Sequence, residues 1–197
     1  MKIIIILLLC INLIAQDDYS FRVGYGVASD KNLGDIIVGD FGSTEKDLSV
    51  IVLDGGYLLK KDLFDLPLDV YAKGGFSYFN EENHSDVYEA LVYIKIIYNI
   101  DFWDNRVRVG LGEGLSYASD VPEVEYDEAL ADNEETSKLL NYIDISIDFD
   151  IGRLVGYKPL RDTYIGYLLK HRSGVFGLFN GVHGGSNYNT IYLERNF

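Results

Sequence analysis

One cysteine, Cys10, stands in a chain of 197 residues, and it lies inside an apolar leader. With no thiol beyond it, the exported chain has no disulfide, no thiolate metal site and no cysteine nucleophile. Prolines number only three. After the leader there is no apolar run of about 18 residues, which excludes a helical membrane span. Basic residues are few as well: 17 Lys and Arg against 31 Asp and Glu leave a net charge of −14, which argues against nucleic acid as a partner. Stability has to come from backbone pairing and packing.

The leader, MKIIIILLLCINLIAQ (1–16), has the form of a cleaved secretory signal. Lys2 is a short basic n-region, Ile3 to Ile14 an apolar h-region, and Ala15 or Gln16 a plausible cleavage point. The run is shorter than the about 20 residues of a transmembrane helix. A lipoprotein signal ending at Cys10 is the alternative, with Leu9 a poor fit where a small residue is expected. Residues 17–197 are expected to form one domain.

What the chain does have is 16 tyrosines, 10 phenylalanines and 20 glycines, arranged with period two. In NYIDISIDFDIG (141–152), Ile143, Ile145, Ile147, Phe149 and Ile151 alternate with Tyr142, Asp144, Ser146, Asp148 and Asp150. Eight such runs are expected near 19–28, 47–59, 67–79, 86–100, 105–119, 139–153, 161–173 and 187–197. The connections 60–66, 101–105 and 154–160 are short, whereas 29–46, 119–138 and 174–186 are long. A helical period shows only weakly, at 127–140, and that stretch is expected to be loop.

A soluble β-barrel keeps apolar residues inside; a transmembrane barrel inverts the pattern. Arg22, Lys73, Lys95, Arg108, Asp144 and Asp148 share one face, with charges of both signs available to pair in a lumen. Glycines in GYG and GLGEG fall on that crowded face, and the chain ends on an aromatic, Phe197. The expected fold is therefore all-β, an eight-stranded antiparallel up-and-down barrel of the bacterial outer membrane, with a soluble periplasmic barrel as the alternative. The acidic loops then lie outside the cell.

Strand seven ends in His171 and Ser173, on the same parity as Ile165 and Leu169 and so facing lipid. Two apart on one strand face, their Cβ atoms are roughly 6–7 Å apart, within reach for an imidazole to take the hydroxyl proton. This chain resembles the PagL-type lipid A 3-O-deacylases, outer-membrane barrels with a His-x-Ser pair on the outer face of the penultimate strand. The resemblance extends over the architecture and, in the motif, over about 164–197. It implies a serine esterase that removes an ester-linked acyl chain from lipid A, with Ser173 as nucleophile, His171 as general base, lipopolysaccharide as partner and no cofactor or metal. The family orients its histidine with an acid near the start of the last strand. Here that position falls at Asn187, and an asparagine can also orient an imidazole. Glu194, the one carboxylate of strand eight, has lumen parity. The serine is followed by glycine where the family tends to have asparagine, leaving Gly174 N–H or Asn180 as candidate oxyanion donors.

Four other features stand outside that set. His84 lies among carboxylates in EENHSD, His183 lies in the last outer loop, and the acidic 121–135 loop is expected to stay in water. Glu113 has lipid-facing parity, which a bulge among its neighbouring glycines would reverse. The alternative function is a non-catalytic barrel with a structural or surface-interaction role. A pore is disfavoured, because an eight-stranded lumen is filled by side chains.

Overall fold

The computed structural model describes residues 18–197. The expected signal, 1–16, lies outside the described residues. Eight strands, β1 (Tyr19–Ser29), β2 (Ser49–Lys60), β3 (Leu68–Asn80), β4 (Val87–Phe102), β5 (Asn105–Ala118), β6 (Leu139–Asp150), β7 (Thr163–Ser173) and β8 (Gly185–Asn196), close in sequence order into one antiparallel barrel. Each expected run is a strand. β6 stops three residues early, because the Asp150 side chain accepts the Arg153 N–H and starts the short helix α3 (Ile151–Leu154).

The registers fix the tilt. Followed across the wall, the row Ser29, Asn187, His171, Ile143, Glu113, Ile94, Ala72, Tyr57 returns to β1 at Tyr19. The displacement from residue 29 to residue 19 is a shear of 10 over the eight strands, which tilts them by about 40°. The connections 61–67, 103–104 and 151–162 lie at one end of the barrel, and 30–48, 81–86, 119–138 and 174–184 at the other. Closure leaves no open sheet edge, as a membrane requires.

The outer face is apolar: Val23, Ile51, Leu53, Ile94, Ile96, Leu111, Ile147 and Leu193 are all exposed. Aromatic pairs mark both rims, Tyr78 with Tyr88 at the long-loop end and Tyr19 with Tyr57 at the short-turn end. The lumen holds the charge. Arg22 reaches Asp54 and Asp144 at 2.6 Å each, and Lys95 reaches Asp144 at 2.7 Å. Lys73 joins Asp54 at 3.0 Å to Glu194 at 2.6 Å. Arg108 meets Asp148 with two bonds of 2.8 Å and Glu194 with one of 2.9 Å. Nearer the long loops, Lys170 and Arg172 hold Glu89, and Arg172 also holds Glu125. In this network six cations face six carboxylates, so the surplus acid of the chain lies elsewhere. The lumen is full: a Cβ on Gly110 would sit 2.5 Å from Lys95 Cε, and one on Gly26 would sit 2.2 Å from Thr190 Oγ1.

One expectation is corrected at the long-loop end. Residues 123–132 of the acidic loop form a helix, α2 (Glu123–Asp132), ended by Asn133 in the left-handed conformation (φ 56°). Its buried residues are not apolar but acidic, Glu123 and Glu125, so a search for apolar periodicity does not see it. Glu123 accepts from Lys46 and from Asn83; Glu125 accepts from Ser186 in addition to Arg172. Val124 packs on the apolar mouth formed by Leu48, Val50, Phe79, Val87 and Tyr188. The first turn of α2 therefore plugs the mouth, while residues 130–136 of the same loop stay exposed.

Two outcomes follow from these contacts. Asp144→Ala strands Lys95 in the lumen, leaves Arg22 with Asp54 alone, and lowers stability by about 3–5 kcal/mol, measured by urea unfolding in lipid vesicles. The plug is also expected to respond to pH. Burial raises the Glu81 carboxyl to about 7, whereas Glu123, despite burial, is held at about 2 by its bonds from Lys46 and Asn83. An acid whose value is raised in the folded state favours that state at low pH; its contribution is complete below the ordinary carboxyl value and is lost as pH rises through about 7. Hydrogen-exchange protection factors in 119–138, corrected for the intrinsic pH dependence of amide exchange, should therefore be higher at about pH 5.5 than at about pH 8.5, and Glu81→Gln should flatten that difference.

Candidate active site

His171, Ser173 and Asn187 all project from the outer wall at the long-loop end. β7 and β8 bring His171 directly opposite Asn187 and Ser173 opposite Gly185. His171 Nδ1 and Asn187 Oδ1 are 2.8 Å apart. The other end of the same amide is occupied too: Asn187 Nδ2 donates to the Lys31 carbonyl at 2.9 Å.

That second bond determines the protonation pattern. A carbonyl oxygen can only accept, so the amide nitrogen must face Lys31 and the amide oxygen must face the imidazole. An amide oxygen also only accepts, so Nδ1 carries the proton. Neutral His171 then has its lone pair at Nε2, the arrangement a general base needs. His171 and Asn187 are each only 8% exposed although both face outward.

Their cover is loop 1 (residues 30–48), which folds back over the outer wall. Its short helix α1 (Leu33–Ile37) follows Asn32, and Phe41 beyond it packs edge-on against Tyr167, with ring centres 5.4 Å apart. Asn189 clamps the same turn, giving Nδ2 to the Phe41 carbonyl at 2.7 Å while its oxygen accepts from Tyr167 at 2.6 Å. Lys31, Phe41 and Asn189 were not singled out in the sequence. The available signal was a pair of amides, Asn187 and Asn189, on lipid-facing parity, which need partners that hydrocarbon cannot supply.

Ser173 is half-buried, and among the described residues no hydrogen bond joins it to His171. Its Oγ accepts instead from Val175 N–H at 3.1 Å. The turn after it is strained: Val175 (φ 49°) and Phe176 (φ 54°) are consecutive non-glycine residues in the left-handed region. Neither expected oxyanion donor is free. Gly174 N–H is spent on the Gly184 carbonyl at 3.0 Å, and the Asn180 amide donates to Ser137 Oγ at 2.8 Å. The Phe176 N–H makes no hydrogen bond among the described residues.

A groove of about 680 Å³ runs beside these groups, lined by His171, Ser173 and Asn187, by Lys31 and Leu33 of loop 1, and by Phe176 and His183 of the last loop. Glu113 lines it too. The registers of β5 with β4 and β6 run unbroken through Glu113, so it stays outward and no bulge turns it inward. Glu194 lies in the lumen between Lys73 and Arg108, as its parity implies. His84 stands 3.7 Å from Glu123 and against the Tyr126 ring, away from the groove.

No protein-family model and no curated protein sequence matches this chain. Solved structures do. The outer-membrane enzyme PagL aligns over 90% of this chain and 99% of its own, at 11% identity and a TM-score of 0.61. Neisserial surface protein A aligns over 92% of this chain and 98% of its own, at 10% identity and a TM-score of 0.49. At that identity the likeness to PagL is one of fold: the chain is an eight-stranded antiparallel barrel of the outer-membrane type.

Proposed function

We propose that this chain is an outer-membrane serine esterase that removes an ester-linked acyl chain from lipid A in the outer leaflet. The carrying observation is the relay from the Lys31 carbonyl through Asn187 to His171 on a lipid-facing wall. A polar relay on that wall contributes nothing to the lumen network, and it directs the lone pair of a neutral imidazole to Nε2, on the same strand face as a serine. In this reading the long-loop end lies outside the cell, with the groove beside lipopolysaccharide.

In this reading a turn about χ1 releases Ser173 Oγ from Val175 N–H and brings it to His171. Nε2 takes the hydroxyl proton as Oγ adds to the ester carbonyl. The Phe176 N–H is the donor nearest in sequence for the resulting oxyanion, in place of Gly174 and Asn180. Collapse expels the sugar alkoxide, which receives the proton from the imidazolium; water, activated by the same imidazole, then releases the fatty acid. Asn187 orients without adding charge.

One observation favours the alternative, a barrel that keeps the fold without the reaction and acts as a structural or surface-interaction protein. Ser173 Oγ is engaged in its own turn rather than with His171. Mass spectrometry of lipid A from cells expressing the parent and Ser173→Ala decides between them. Loss of one acyl chain with the parent alone supports the esterase. Unchanged lipid A in both, with the barrel folded in the membrane, supports the alternative.

A second outcome separates a fitted asparagine from a decayed acid. Asn187→Asp places a carboxylate oxygen against the Lys31 carbonyl and removes the donor that holds loop 1. Losing that buried bond costs about 1–3 kcal/mol, so Asn187→Asp should lower kcat about tenfold rather than raise it. Hydrogen exchange in residues 30–44 should rise in the same variant. A faster enzyme with an unchanged loop would show that the amide is a defect.

A further inference from the structure

Glu113 is the sole carboxylate at the outward-facing positions of the eight strands. Its flanking partners across the sheet are Ile94 and Ile143, and its neighbours along β5 on the same face are Leu111 and Leu115. Among the described residues it makes no hydrogen bond and no ion pair. It lies four residues along β5 from the rim tyrosine Tyr117, roughly 10 Å below it at the tilt of the barrel and hence within hydrocarbon. An ionisable group at that depth is expensive to keep and marks a site with a polar occupant.

The occupant is bounded by geometry. Glu113 and His171 belong to one row of the wall, separated by Ile143, and both line the same groove. The row descends from β7 to β5, so two strand spacings place Glu113 roughly 6 Å deeper in the leaflet than His171. An ester lipid held with its scissile carbonyl at Ser173 therefore presents to Glu113 the part of an acyl chain just below the ester. A carboxylate there takes a hydrogen-bond donor, and a plain diacyl lipid has none at that depth.

We propose that Glu113 is a specificity-determining residue, whose carboxylate accepts a hydrogen bond from a hydroxyl or amide N–H carried by the acyl portion of the groove's lipid. The occupant is thus a hydroxyacyl or N-acyl ester lipid rather than a plain diacyl glycerophospholipid. This rests on the groove being the lipid-binding face proposed above, and its test does not depend on hydrolysis.

The test uses the full barrel in detergent with Ser173→Ala, so that no lipid is consumed. Native mass spectrometry reads retention from equimolar pairs of ester lipids. One pair differs only in a 3-hydroxyl on the acyl chain, the other only in an amide replacing a second ester. The expected result is a preference of about tenfold for the donor-bearing member of one pair, the size of a hydrogen bond to a charged acceptor; which pair shows it names the donor. Adding Glu113→Leu should bring the ratio to parity, and Glu113→Gln, whose amide oxygen still accepts, should keep part of it. Heat-modifiable migration on gels checks folding, which Glu113→Leu should leave intact because it removes a charge from the lipid face. Parity with Glu113 present, a preference that survives Glu113→Leu, or a preference abolished by EDTA each overturns the proposal, the last in favour of a bridging cation. Unaltered lipid A in cells together with an intact preference would overturn the esterase reading and leave this one standing.

Discussion

A closed barrel in a membrane has one sheltered place for charge, and the rest of this structure depends on how fully that place is used. The lumen pairs link Asp54, Lys73, Glu194, Arg108 and Asp148 in one chain and Arg22, Asp144 and Lys95 in another that shares Asp54. Charges removed from water this completely are tolerated only when each has a partner of opposite sign in good geometry. The lumen network is thus balanced, six cations against six carboxylates. The excess acid of the chain is left to the ends of the barrel, where α2 directs part of it back as a plug. Chemistry, if the barrel performs any, is displaced to the outer wall.

On that wall polar groups are few, and four of them concern the groove. His171, Asn187 and Asn189 lie on adjacent strands and Glu113 two strands further along the same row. Three of the four are satisfied by one another or by loop 1, which supplies the Lys31 and Phe41 carbonyls. The loop is thus a substitute for the water that these amides would otherwise need. An amide suits this position better than a carboxylate would, since it can accept at one end and donate at the other and carries no charge into hydrocarbon. The amide at 187 and the folding back of loop 1 are therefore one structural unit.

Much of this was legible because a strand has period two and a membrane barrel inverts the usual sidedness. Those two facts suffice to place Arg22 and Asp144 inside, to reject Glu194 as an orienting acid, and to set His171 beside Asn187. The misses have a common cause: they concern segments whose partners are not periodic. α2 buries Glu123 and Glu125 against Lys46 and Arg172, so its amphipathicity is one of charge rather than hydropathy. Loop 1 has no repeat to reveal that it lies on β7 and β8. The oxyanion donors depended on which N–H groups the last loop consumes internally, a matter of hairpin geometry that composition does not encode.

That hairpin gives the strongest sign of a constraint other than stability. Left-handed backbone at a β-branched residue costs about 1–3 kcal/mol and persists only where surrounding bonds over-determine it. Here Gly174 bonds to Gly184, Phe179 to Gly174 and Gly177 to Val182, which pin both flanks of Val175 and Phe176. The Gly174, Gly177 and Phe179 N–H groups are spent in these bonds, whereas the Phe176 N–H between them is not. A relaxed hairpin would turn that N–H inward to a carbonyl, as its neighbours are turned. The strain and the free donor are therefore one feature, and it stands three residues after the serine.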